Sequence, residues 1–270
     1  MTELSEIAST GPSAAFFDLD RTLISGSSVF VFGIAAWRAG LIPKGSFTKD
    51  AVGALTFRLA GASDDTTVKA RERILGAVKG VHHEDLVALN TDVVPKLIER
   101  VRPEARRLID AHRHAGRATY IVSASPVELV RPLALALGMT DGIGTVSEII
   151  DGVYTGNLAG PFCYAEGKVE AMQEVARWEG LDLRQCYAYS DSASDLPMLD
   201  AVGHPVAVNP DAKLERHARR HGWPIVIFSQ RTKAVVRRTT QAVGATSLVA
   251  GGFAAGLQWA IRRSPPTRTR

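Results

Sequence analysis

The sequence predicts an α/β protein: a doubly wound parallel sheet with a helical cap inserted after the first strand and a hydrophobic helix at the C-terminus. Three observations predict it. Short, continuous apolar runs of strand length alternate with helical patterns, as a parallel sheet with helical crossovers requires. The stretch from about Gly26 to Val101, between the first run and the second, is too long for a simple crossover. A charge-free segment, 242–261, runs between Arg237-Arg238 and Arg262-Arg263.

The first strand is read from Ala14-Ala15-Phe16-Phe17, a run buried on both faces, and Asp18-Leu19-Asp20 closes it. The insertion has helical periodicity over 29–39, 47–59, 66–78 and 84–100, with few strand signals, and reads as a helical cap over the sheet edge. The core then resumes with a helix over 103–114 ending at Gly116, a strand over 118–123, and a helix over 127–137 ending at Gly138. Asp151-Gly152 between two β-prone arms, 147–150 and 153–156, signals a hairpin. A helix over 168–179 stops at Gly180, and strands follow at 186–190, 205–208 and 225–228. The expected organisation is a catalytic core over 1–25 and 102–228, a cap over 26–101, a basic linker over 229–241 and the apolar helix over 242–261.

The length of 270 residues and 46% hydrophobic content suffice for a core plus an insertion. The 32 basic residues barely exceed the 28 acidic ones and the excess sits near the C-terminus, so the charge argues for no nucleic-acid partner. Cys163 and Cys186 have neither metal-type spacing nor a disulfide framework, which fits a reducing, cytoplasmic compartment. The first dozen residues lack the pattern of a secretory signal. The 242–261 segment suits a membrane span of ~20 residues, and Gly252-x-x-x-Gly256 has the spacing that lets membrane helices approach. It is therefore a candidate tether to the inner membrane face, set against a helix that packs on the protein or self-associates. No oligomeric state is read from the sequence.

The chemistry begins at Asp18 and Asp20. At the carboxyl edge of a parallel sheet they occupy the place where α/β folds bind ligands, and paired carboxylates repel unless a cation or a shared proton relieves them. Three further clusters follow where later strands end or helices begin: Ser123-Ala124-Ser125-Pro126, Glu166-Gly167-Lys168, and Asp191 to Asp195. Alone, each has an ordinary reading as a turn, a cap or a solvated helix residue. In this order they supply a carboxylate pair, a hydroxyl with nearby amides, an ammonium and a second carboxylate pair, the parts needed to hold a phosphoryl group and Mg²⁺. His217 and His221 have the helical spacing of a metal pair, but the arginines between them make a cationic last turn the better reading.

Asp18-x-Asp20-x-Thr22, Ser123, Lys168 and Asp191-x-x-x-Asp195 resemble, in order, the four motifs of the haloacid dehalogenase superfamily of phosphatases. More narrowly, the insertion and the Ser-Asp-Ser-x-x-Asp-Leu-Pro-Met-Leu wording resemble the subfamily IB hydrolases related to phosphoserine phosphatase. The resemblance implies that Asp18 is the nucleophile, forming an aspartyl-phosphate, and Asp20 the acid–base. It implies Mg²⁺ held by Asp18, the Asp20 backbone carbonyl and Asp191, with Asp195 orienting the outer shell. Ser123, Ala124 and Lys168 would bind a small phosphorylated substrate; Thr22, placed with them, would fix the turn after the first strand. Departures bear on the substrate. Ser27 stands where phosphoserine phosphatases carry a glutamate for the serine ammonium, Ala124-Ser125 replaces a Gly-Gly pair, and Ser194 replaces an asparagine. Arg71 or Arg73 could instead bind a substrate carboxylate. The expectation is a Mg²⁺-dependent phosphomonoesterase acting on a small metabolite or a lipid head group, with phosphoserine phosphatase or a non-catalytic, membrane-tethered binding protein of the same fold as alternatives.

Overall fold

The computed structural model describes residues 12–42, 71–72 and 75–228. The expected helix over 47–59, most of that over 66–78, Arg73, the basic linker 229–241 and the apolar segment 242–261 lie outside them. Among the described residues no helix is long and apolar enough to cross a membrane.

The strands are β1 (Ala14–Asp18), β2 (Ala118–Pro126), β3 (Asp141–Thr145), β4 (Ser147–Ile150), β5 (Val153–Leu158), β6 (Tyr187–Ser190), β7 (His204–Val208) and β8 (Ile225–Val226). Six form one sheet in the order β3-β2-β1-β6-β7-β8, and every neighbouring pair is parallel. The chain winds outward from β1 to β3 on one side, then crosses to β6 and winds to β8 on the other. The reversal falls between β1 and β6, and in such sheets it opens a crevice at the carboxyl ends of the two strands.

β1 lies mid-sheet because every one of its residues is buried, as its apolar run predicts. Phe16 stacks on Tyr120 at 5.4 Å and Phe17 on Tyr189 at 4.6 Å. Burying each ring contributes about 1.5–3 kcal/mol. The register then fixes the site. Asp18 pairs with Val122, one residue before Ser123, and Phe17 with Tyr189, two residues before Asp191.

The helices are α1 (Ser28–Arg38), α2 (His83–Ala88), α3 (Asn90–Ile98), α4 (Pro103–His114), α5 (Val127–Ala136), α6 (Glu166–Glu179), α7 (Leu196–Asp200) and α8 (Ala212–His221). Ser27 caps α1 by accepting from Phe30 N–H. Gly180 and Gly222 end α6 and α8 in left-handed conformations.

Several elements differ from the sequence reading: α7 was not expected, and β8 covers only Ile225–Val226 of the strand expected over 225–228. The single helix expected over 84–100 is two, α2 and α3, interrupted at Leu89, and Asn90 just past the break donates to the Glu128 carbonyl of α5. β2 runs on to Pro126 instead of stopping at Ser123. β3 was not anticipated, because Asp-Gly-Ile-Gly-Thr lacks a strand pattern. The hairpin is present as expected, with Asp151 and Gly152 both at positive φ, 50° and 77°.

Candidate active site

Asp18 is the last residue of β1, and the turn after it is closed by main-chain bonds from Leu23 and Ile24 N–H to the Leu19 carbonyl. The Thr22 hydroxyl is buried and makes no hydrogen bond among the described residues. Arg21, between the two motif positions, adopts φ 68°.

Lys168 lies in the first turn of α6 and reaches across to the sheet. Its Nζ donates to Asp18 Oδ1 at 2.7 Å and to Asp195 Oδ2 at 2.9 Å, and all three side chains are buried. Ser190 donates its hydroxyl to the same Asp195 oxygen at 2.7 Å. α6 can begin where it does because residue 167 is glycine: a Cβ there would collide with the Phe162 carbonyl.

Asp191 follows β6. Its main-chain carbonyl accepts from Asp211 N–H at 2.8 Å, while the Asp211 carboxylate accepts from Ala193, Lys213 and Leu214 N–H. Asp211 thus pins the acidic loop to the start of α8. Arg21 Nε stands 2.7 Å from Asp191 Oδ2.

The Asp20 carboxylate turns the other way and accepts from Ser28 N–H at 2.6 Å, at the start of α1. Ser123 is buried, and its hydroxyl accepts from Ser125 N–H at 3.2 Å. The Ala124 carbonyl accepts from Thr145 Oγ1 at 2.9 Å, holding the loop against β3.

The electrostatics are one-sided. Burial pushes Asp18 up to about 6, opposed by Lys168 and reinforced by the charge of Asp195. Burial and then the charge of Asp18 push Asp191 up to about 7, opposed by Arg21. Burial acts to strip the proton from Lys168, but the charges of Asp18 and Asp195 outweigh it and hold the ammonium well above the ordinary lysine range. The Asp18, Asp191 and Asp195 carboxylates thus share two cations, Lys168 and Arg21, which leaves net negative charge, and Asp18 and Asp191 present hard oxygen donors. That donor set fits a hard divalent cation. Among the described residues no three His, Cys, Asp or Glu side chains converge on one point.

The structure therefore brings Asp18, Lys168, Asp191 and Asp195 together and sets Asp20 and Ser123 beside them. Sequence reasoning missed Arg21, Ser190, Asp211 and the Ser28–Ser125 contact. Asp211 carries a legible signal, an N-cap aspartate after Asn209-Pro210; Ser190 and Arg21 had only their place inside a motif. His217 and His221 stack on each other at 4.0 Å in the last turns of α8, which also carry Arg219 and Arg220. Cys163 and Cys186 are both free and buried.

Like charges held together out of solvent, at the reversal point of a doubly wound sheet, are the mark of an enzyme site, since stability alone would not keep them there. The chain belongs to the haloacid dehalogenase-like hydrolase family, whose model matches residues 15–200. It is 40% identical over 252 residues to a Mycobacterium tuberculosis protein named as a probable phosphatase, covering 88% of this chain and 86% of that one. A phosphoserine phosphatase of the same organism is 38% identical over 251 residues, covering 90% and 78%. Among solved structures, a Bordetella pertussis protein of unknown function superposes with a TM-score of 0.69 at 28% identity, covering 80% of this chain and 98% of that one. Membership and relatives together make this chain a phosphatase of the family.

Proposed function

We propose that this chain hydrolyses the phosphomonoester of a small metabolite, with Asp18 as nucleophile and Asp20 as acid–base. The observation that carries the reading is the Lys168 ammonium spanning Asp18 and Asp195 inside the sheet edge. A buried cation there offsets the nucleophile's charge, so an anionic oxygen can meet an anionic phosphoryl group.

In the first displacement an Asp18 oxygen bonds to phosphorus as the ester P–O bond breaks, and Asp20 gives its proton to the departing oxygen. In the second, water attacks phosphorus, Asp20 takes its proton, and the Asp18–phosphorus bond breaks to release phosphate. Splitting one hydrolysis this way makes each step easier, and acid–base help of this kind is worth ~10²–10⁴-fold. Ser123 and the amide of Ala124 would bind phosphoryl oxygens. Asp18, the Asp20 carbonyl and Asp191 would hold Mg²⁺, which supplies charge stabilisation to the phosphoryl oxygens, while Asp195 keeps Lys168 and the acidic loop in register.

A second reading, phosphoserine as the substrate, is favoured by the relative of that name. Against it, the position expected to carry a carboxylate is Ser27, whose hydroxyl caps α1. Arg71 is half-buried and is a cap cation to which a substrate carboxylate could turn.

The test is hydrolysis of p-nitrophenyl phosphate with Mg²⁺, followed by a screen of phosphorylated metabolites that contrasts amino alcohols with neutral alcohols. Wild type should turn over the aryl ester and Asp18→Asn should not. Equal turnover by the two, or none by wild type, would overturn the proposal.

A further inference from the structure

Ser28 opens α1 and Ser125 lies near the end of β2, 97 residues further on, yet their hydroxyl oxygens are 2.8 Å apart. Both side chains are sealed from solvent, at 0% and 1% exposure. Ser28 donates its main-chain N–H to Asp20 Oδ1 at 2.6 Å, and Ser125 donates its own to Ser123 Oγ at 3.2 Å. One hydroxyl bridge thus joins the Asp20 carboxylate, the start of the first insertion helix and the hydroxyl beside the nucleophile. Because Ser123 accepts from Ser125, its own O–H is left to donate elsewhere.

Packing alone does not account for the bridge. A buried hydroxyl is costly to leave once its partner is lost, whereas replacing both partners by apolar groups can be nearly neutral. A core position would keep two alanines as readily as two serines.

We infer that Ser28 and Ser125 are positioning residues: their bridge fixes the start of α1 against the β2 loop and so holds Asp20 at the distance from the Ser123 seat at which it can protonate a leaving oxygen. The inference rests on the phosphomonoesterase reading above and deepens it. A leaving group that must be protonated as it departs should feel a displaced Asp20, while one that leaves as a stable anion should feel it much less.

Phenyl phosphate and p-nitrophenyl phosphate are alike in shape and differ in that need. We expect Ser28→Ala, which keeps the N–H to Asp20, to lower kcat on phenyl phosphate about tenfold more than on p-nitrophenyl phosphate, a part of the ~10²–10⁴-fold that acid–base catalysis supplies. Ser125→Ala should give the same ratio, and the double variant should be no worse than either single one. In an Asp20→Asn background, adding Ser28→Ala should leave the ratio between the esters unchanged. Should Ser125→Ala fail to fold, Ser28→Ala alone carries the same readout. Equal losses on the two esters, or losses that add in the double variant, would overturn the inference and leave the hydrolase standing. No hydrolysis of either ester by wild type would overturn the underlying reading, and the inference with it.

Discussion

Lys168 bridges two carboxylates at once, and among the described residues it is the one cation within ion-pair distance of Asp18 and Asp195. Truncating it leaves two buried negative charges without a counter-ion. Lys168→Ala should therefore cost about 3–5 kcal/mol of stability, the range for breaking a buried pair, and lower kcat by ~10²-fold or more. Urea midpoints and turnover on an aryl phosphate measure the two effects. His112 makes a different prediction. It is buried, its Nε2 is 2.7 Å from the Tyr189 hydroxyl, and burial, with help from Arg117, lowers it from 6.5 to about 4. Its folded value lies below its unfolded one, so the unfolded chain binds the proton first. The stability this neutral ring contributes is complete above about 6.5 and is lost as pH falls towards 4. His112→Gln should flatten that part of the urea-midpoint profile relative to wild type. The terms from Asp18 and Asp191 are common to both proteins and cancel in the comparison.

Elements whose own side chains carry the pattern were legible, and those defined by a neighbour were not. β1, β6 and β7 read as strands because alternate or continuous apolar residues fill both faces of the sheet. β3 did not, since two of its five residues are glycines, and the reason lies in β2 and α5. A Cβ on Gly142 would stand 2.5 Å from the Val130 carbonyl of α5, and one on Gly144 2.7 Å from the Ser125 carbonyl of β2 and 2.8 Å from the Val127 backbone at the start of α5, so the neighbouring backbone lies too close for any side chain. The break at Leu89 was equally invisible, because the apolar periodicity continues across it. Gly167 has the same logic at the site. The Cβ of Gly167→Ala would meet the Phe162 carbonyl, pushing back the first turn of α6 and Lys168 with it. We expect this variant to lose about 1–3 kcal/mol, the usual cost of overpacking, and to lose activity out of proportion to its melting temperature. A full-activity Gly167→Ala protein would show that the lysine does not depend on that close approach.

At the scale of the molecule, the sheet order decides which distant residues meet. The site residues were legible as motifs, whereas Arg21, Ser190, Ser28 and Ser125 become meaningful only once winding and register bring positions 18–28, 123–125 and 190–195 to one edge. That edge carries an uncompensated negative charge, so a divalent cation should stabilise the folded chain and not the unfolded one. Mg²⁺ should stabilise the folded chain by an amount that grows with the logarithm of its concentration, about 2.7 kcal/mol at a hundredfold excess over its dissociation constant, read as a rise in melting temperature. EDTA should reverse the rise, and Asp191→Asn should remove most of it; an unchanged response in that variant would separate the cation from this edge.

The Asp18–Lys168 ion pair spans 150 residues of chain. A ribosome adding about 5–20 residues per second needs on the order of ten seconds to supply the second partner after the first. Throughout that interval the nascent chain holds an unmatched acid group at the tip of its earliest strand. The pair can therefore close only once Lys168 has been made, and a chain truncated ahead of Lys168 would carry Asp18 without this cation.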